Sequence, residues 1–215
     1  IPQLGSGLVF PIAESDMVCD PINMPDHWPR ICGLDFGWDH PTAAAWAAWD
    51  RDSDIIYIYD TYAMSQEAVP IHASAVKARG QWIPVIWPMD GRQADKGSGK
   101  SLTEQYRNEG VNMTREHFTN PPQQGQKENT GGISVEAGVQ EMYTRFMTNR
   151  LKIFNNQSKL LEELRMYHRK DGKIVFKHDD VISAARYAVM SVRKARVKNY
   201  EPKQLYSDSS FNVFA

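Results

Sequence analysis

Residues 30–63 read RICGLDFG, WDHP, TAAAWAAWD, RDSD and IIYIYDTYA, and this alternation of apolar runs with short polar links decides the fold. The first run ends at Asp35, Phe36 and Gly37, and the third is rich in β-branched and aromatic residues, as strands are. The links at 38–41 and 50–54 can turn a chain back on itself, but they are too short for a helical crossover. Three antiparallel neighbours, a meander, are therefore predicted.

Downstream the pattern changes. Pro70 in a first turn and Gly80 just past the end bracket a helix, IHASAVKAR. WIPVIWPMD reads as a fourth strand whose ends Pro84 and Pro88 make irregular. Ser101 to Glu104 (SLTE) is a capping box that opens a second helix ending at Gly110, and VNMTRE reads as a fifth strand. Residues 116–132 are polar and loop-like. Val135, Val139, Met142 and Phe146 recur at helical spacing, LKIF is a short strand, and a helix is expected around 159–167. KDGKIVF carries the Asp171-Gly172 hairpin signal. The last helix begins at Asp179/Asp180 and places Val181, Ala184, Ala185, Ala188 and Val192 on one face. Upstream, the proline-rich residues 1–29 read as a linker or extended arm, and 197–215 as a polar tail, leaving 30–196 as one globular domain. Taken in order, the elements predict an α/β fold of the ribonuclease H-like type: a mixed sheet, with its three-strand antiparallel meander plus further strands, flanked by helices.

Composition narrows the function. The chain has 215 residues, 25 Lys plus Arg against 26 Asp plus Glu, and a formal net charge of −1, which runs against a simple basic DNA binder. Basic residues instead gather locally at Arg92, Lys96 and Lys100, and from Arg186 through Arg193, Lys194, Arg196 and Lys198. The second cluster reads as a solvated face. Two cysteines, Cys19 and Cys32, exclude a disulfide framework or zinc knuckle and suit a reducing compartment. No apolar stretch approaches the roughly 18 residues that span a bilayer. An opening Ile, with neither a basic start nor a long apolar middle behind it, reads as part of a longer protein.

In the ribonuclease H-like layout the first strand is central and the fourth lies beside it. Asp35 and Asp90, each closing a strand, are then neighbours, and Asp179/Asp180 begin a helix that packs across the same edge. Hard oxygen ligands from separate elements suit Mg²⁺ or Mn²⁺ and a substrate phosphate, and two such ions can activate a water and stabilise a leaving oxygen. Each acid also has a structural reading: Asp35 and Asp90 as turn residues, Asp179 as an N-cap, Asp180 as a first-turn acid favoured by the helix dipole. Asp39 reads as a turn residue before Pro41, with an outer carboxylate as the alternative, and His178 as an exposed neighbour of the cap. Arg92, Lys96 and Lys100 are candidates for holding DNA phosphates.

A rival motif lies at Ala94–Ser101, ADKGSGKS, a relaxed phosphate loop between a strand and a helix, which predicts nucleotide binding. Against it stand Ala94 in place of the first glycine and the antiparallel meander upstream.

ICGLDFGWDHPTAAA, VIWPMDG with DKGSGKSLTEQYRNEGV, and LRMYHRKDGKIVFKHDDVISAARYAVM together resemble the nuclease domain of the large terminase subunit of tailed bacteriophages. The resemblance implies a magnesium- or manganese-dependent endonuclease that cuts concatemeric double-stranded viral DNA during genome packaging in the host cytoplasm. It also implies an N-terminal ATPase domain, with the small terminase subunit and portal protein as partners. Position by position it assigns Asp35, Asp90 and Asp180 as catalytic metal ligands, with Asp179 as neighbour to the third. Ser183 stands where relatives often carry a further acid. A non-catalytic DNA- or portal-docking module, and a junction resolvase or transposase-like nuclease, are the alternatives.

Overall fold

The computed structural model describes residues 7–93, 99–119 and 135–198. Its centre is the meander: β2 (Arg30–Asp35), β3 (Thr42–Asp50) and β4 (Ile55–Met64) pair antiparallel, following β1 (Val18–Cys19). β5 (Val85–Ile86) joins β2 in parallel, Cys32 opposite Val85 and Gly33 opposite Ile86. On the far side β6 (Leu151–Phe154) lies parallel to β4, and β1 parallel to β6, giving the order β1-β6-β4-β3-β2-β5.

Both faces of this sheet are covered, so β2 and β3 are apolar almost throughout instead of alternating with polar residues. Period-2 geometry still sorts them. Cys32, Leu34, Ala44 and Trp46 pack with Ala73 and Val76 of α2 (Val69–Ala78) and Tyr106 of α3 (Leu102–Asn108). Ile31, Ala43, Ala45 and Ala47 face the opposite layer, built from α4 (Glu136–Met147), α5 (Ser158–Met166) and α6 (Asp180–Met190). Gly33 and Asp35 share the parity of Ile31, so the acid that closes β2 lies on the α6 side. Gly33 and the β3 alanines meet Ala184, Ala185 and Ala188, and small residues on both surfaces bring α6 close against the sheet.

Several expectations are corrected. Residues 7–19, expected to be linker or extended arm, pack into the domain through the buried Val9, Phe10, Ile12 and Met17. Phe10 sits edge-on to Phe146 and stacks on Tyr167, a helical turn (α1, Glu14–Met17) follows, and β1 extends the sheet. Prolines around these apolar anchors break the periodicity that would reveal them. VNMTRE contributes one bridge, Val85 to Met113, rather than a strand. The fourth strand shrinks to Val85–Ile86 between its prolines. The hairpin forms as β7 (Arg169–Lys170) and β8 (Lys173–Ile174), with Asp171 and Gly172 both at positive φ. Most of the 116–132 loop and of the 197–215 tail lies outside the described residues. No helix among those described is long and apolar enough to cross a membrane.

Candidate metal centre

The acids reach one edge by separate routes. Asp35 ends β2, and the parallel pairing of β5 brings the following chain alongside it. There Met89–Arg92 form a 3-10 turn carrying Asp90, which the Thr103 hydroxyl of α3 pins by donating to the Gly91 carbonyl at 2.8 Å. Asp179 is the N-cap of α6 and Asp180 its first residue. His178, at φ 54 and exposed, turns the chain into that helix.

Electrostatics shows that the carboxylates sense one another. Burial pushes Asp35 up to about 7, and the negative charges of Asp90 and then Asp180 push in the same direction. The Tyr187 hydroxyl opposes them by donating to Asp35 Oδ1 at 3.3 Å. Asp90 stands at the surface, yet loss of hydration on its inner side raises it, against backbone N–H groups that lower it. Burial, then the charge of Asp180, raises Asp179. His40 Nδ1 lies 2.8 Å from Asp180 Oδ1, bridging the loop after β2 to the start of α6. Thr42 shapes that loop, accepting from Gly37 N–H and donating to the Gly37 carbonyl.

Arg186 lies behind the acids. Its residue is 4% exposed, its guanidinium rests over the rings of Tyr187 and Phe118 at 4.8 and 5.5 Å, and its positive charge acts on Asp35 and Asp179. The solvated-face reading of the basic cluster is thus corrected at Arg186, because α6 is buried where it crosses the sheet. His40, Arg186 and Tyr187 went unselected in the sequence as parts of this site. An arginine at the head of a basic run carries no signal of burial, and a histidine 140 residues from its partner carries none of the contact.

Asp39 is exposed, in keeping with a turn residue. Arg92 is exposed two residues beyond Asp90, and Lys100 is exposed just ahead of α3, whereas Lys96 lies outside the described residues. So do residues 94–98 of the phosphate-loop motif. Its described end serves a helix start: the Ser101 hydroxyl is engaged with Glu104 in a reciprocal capping box. A cleft of about 550 Å³ opens beside Asp90, walled by Phe36, Trp38, His72, Gln105 and Tyr106. Trp38 at its rim is 60% exposed.

Among the described residues no group of three or more His, Cys, Asp or Glu side chains forms a ready-made cation cage. The donors are nonetheless of the right class, carboxylate oxygens that repel one another without a counter-charge. Mg²⁺-type ions bind through one or two carboxylates and keep several waters, so they require no closed cage.

Residues 32–192 match the terminase RNase H-like domain. The chain belongs to that family. Over 198 residues it is 40% identical to the large terminase subunit of Salmonella phage P22, covering 92% of this chain and 38% of the relative, so the chain spans well under half of that protein. The solved P22 large terminase nuclease domain superposes with a TM-score of 0.78 at 39% identity, covering 91% of this chain and 97% of the other. The large terminase nuclease domain of bacteriophage SPP1, with bound Mn, shares the fold at a TM-score of 0.58 and 17% identity, covering 82% and 96%. The ribonuclease H-like architecture expected of the sequence is therefore that of its terminase relatives.

The crowded carboxyls predict an unusual pH response. Asp35 and Glu163, another buried acid, are both pushed up to about 7 by burial. Folding raises these pKa values above their unfolded ones, so their stabilising contribution is full below about pH 4 and lost as pH rises through 7, worth at most roughly 4 kcal/mol for Asp35 and roughly 3 kcal/mol for Glu163. In EDTA, melting followed by circular dichroism should show Tm falling by several degrees between about pH 5 and pH 8. A Tm that climbs across that window would contradict this electrostatic picture.

Proposed function

We propose that this chain is a metal-dependent endonuclease domain that cleaves double-stranded DNA with weak sequence preference. The observation that carries the reading is Asp35, whose carboxyl senses Asp90 and Asp180 although the three lie on different elements. Asp35, Asp90 and Asp180 would hold the cations, Mg²⁺ or Mn²⁺ and two in number, with Asp179 adjoining. Such ions, when bound, lower the pKa of coordinated water and neutralise charge on the scissile phosphate. The protein's own residues do the rest. Tyr187 orients Asp35, His40 steadies Asp180, and Arg186 offsets the accumulated negative charge. Arg92, Lys96 and Lys100 would position the phosphate backbone, contacts that fix register without reading bases. The Mn found in the SPP1 domain supports the cation class.

The 38% coverage of the P22 protein supports a larger chain, in which, as the family resemblance implies, an N-terminal ATPase domain would precede this one. In that setting the domain would cut concatemeric viral DNA during packaging in the host cytoplasm, alongside a small terminase subunit and a portal protein. The test is direct. With supercoiled plasmid and Mn²⁺ or Mg²⁺, the domain should produce nicked and linear forms, EDTA should stop it, and Asp90→Ala should lower the rate by about 10²-fold or more. Cleavage that proceeds unchanged in Asp90→Ala would remove the assignment.

A further inference from the structure

The start of α6 has an unusual cap. An N-cap aspartate ordinarily folds back so that its side-chain oxygen accepts from the N–H groups of the second or third helical residue. Asp179 occupies the N-cap position and makes no such bond. Its carbonyl accepts the first helical bond from Ser183, but the two N–H groups its side chain would have served, those of Val181 and Ile182, donate instead to Glu163 Oε2 at 2.9 and 3.0 Å. Glu163 belongs to α5, eighteen residues upstream, and is 1% exposed. Its second oxygen, Oε1, is buried with no hydrogen-bond partner among the described residues. Burying a carboxylate so completely is costly unless its bonds are needed where they are made.

We propose that Glu163 is a positioning residue that takes over the capping of α6, leaving the Asp179 carboxylate free to face the cation site beside Asp180. The inference rests on the metal-dependent reading above. Without Glu163, two donors at a buried helix end lose their acceptor, and Asp179, as the N-cap residue, is placed to replace it. An aspartate drawn back onto its own helix cannot also serve the metal edge. Glu163 touches neither substrate nor cation in this scheme. It acts through the backbone of Val181 and Ile182, as residues behind metal ligands do when they set ligand orientation.

The experiment measures plasmid cleavage against Mn²⁺ concentration for the whole domain and its Glu163→Ala, Glu163→Gln and Glu163→Asp variants, with Asp35→Asn alongside. Glu163→Ala should raise the half-saturating Mn²⁺ concentration about tenfold or more, while the rate at saturating Mn²⁺ stays near the parent's. Glu163→Gln keeps an oxygen at the Val181 and Ile182 N–H groups and should restore the parental Mn²⁺ response. Should Glu163→Ala fail to fold, Glu163→Asp, whose oxygens fall short by one methylene, should show a smaller shift in the same direction. An unchanged half-saturation in folded Glu163→Ala or Glu163→Asp, or a Glu163→Gln variant as impaired as Glu163→Ala, overturns the proposal. In either case an inactive Asp35→Asn leaves the nuclease reading standing. An Asp35→Asn variant that cuts at the parental rate defeats that reading instead.

Discussion

Asp35→Asn should leave a domain that is more stable without metal and inert with it. The asparagine keeps the shape of the side chain at the end of β2 and a carbonyl oxygen to accept from the Tyr187 hydroxyl. It removes the charge that burial, Asp90 and Asp180 all disfavour, and that drives the carboxyl up to about 7. Above that pH the parent must hold an ionised group in a place that resists it, at a cost of roughly 4 kcal/mol at most. Relief of that cost predicts a higher Tm at about pH 8 in EDTA, by several degrees for a domain of this size. Cleavage should fall by at least about 10³-fold, because a neutral amide is a poor ligand for a hard divalent cation and leaves the charge of the reacting phosphate unbalanced. The opposed signs make the experiment informative. A variant that loses both stability and activity would mean Asp35 is structural, and one that keeps activity would mean the acid is not a ligand.

Gly33→Ala is expected to have the largest effect on folding. Gly33 sits mid-strand in β2, directly beneath α6, and a methyl group there would overlap the Ala184 carbonyl and crowd Ala188 N. These are backbone atoms of a buried helix, so no rotamer change relieves the clash, and α6 must move off the sheet. Overpacking of this kind costs on the order of 3 kcal/mol or more, a large share of the roughly 5–15 kcal/mol that stabilises a domain. Because α6 carries Asp179 and Asp180 while β2 carries Asp35, any molecules that still fold should bind Mn²⁺ poorly. Chemical denaturation gives the stability change, and a midpoint within error of the parent would show that the helix is not seated as described.

Much of this architecture was legible in advance because it depends on local rules. Polar links too short for a crossover force β2, β3 and β4 into a meander, and Pro70, Gly80 and the Ser101–Glu104 box bracket helices by their own backbone chemistry. An acid closing an apolar strand is costly to bury, which already marked Asp35. The edge strand β1 escaped notice because two paired residues amid prolines carry no period. Arg186 was assigned to solvent because a run of basic residues looks alike whether its helix lies on the surface or is packed on both sides. Asp179 does stand at the N-cap, but that its side chain makes no capping bond was not legible, because the rule for N-caps considers only neighbours in the chain.

Strand pattern, turn chemistry and the chemical type of the site's donors thus follow from residues close together in the chain, since hydrogen-bond geometry and side-chain period act over a few positions. Folding decided who meets whom: Glu163 capping α6, His40 against Asp180, Tyr187 and Arg186 behind Asp35, and Phe10 wedged by Phe146. These pairings arise when layers pack and desolvate particular groups together, and burial of that kind belongs to no single segment.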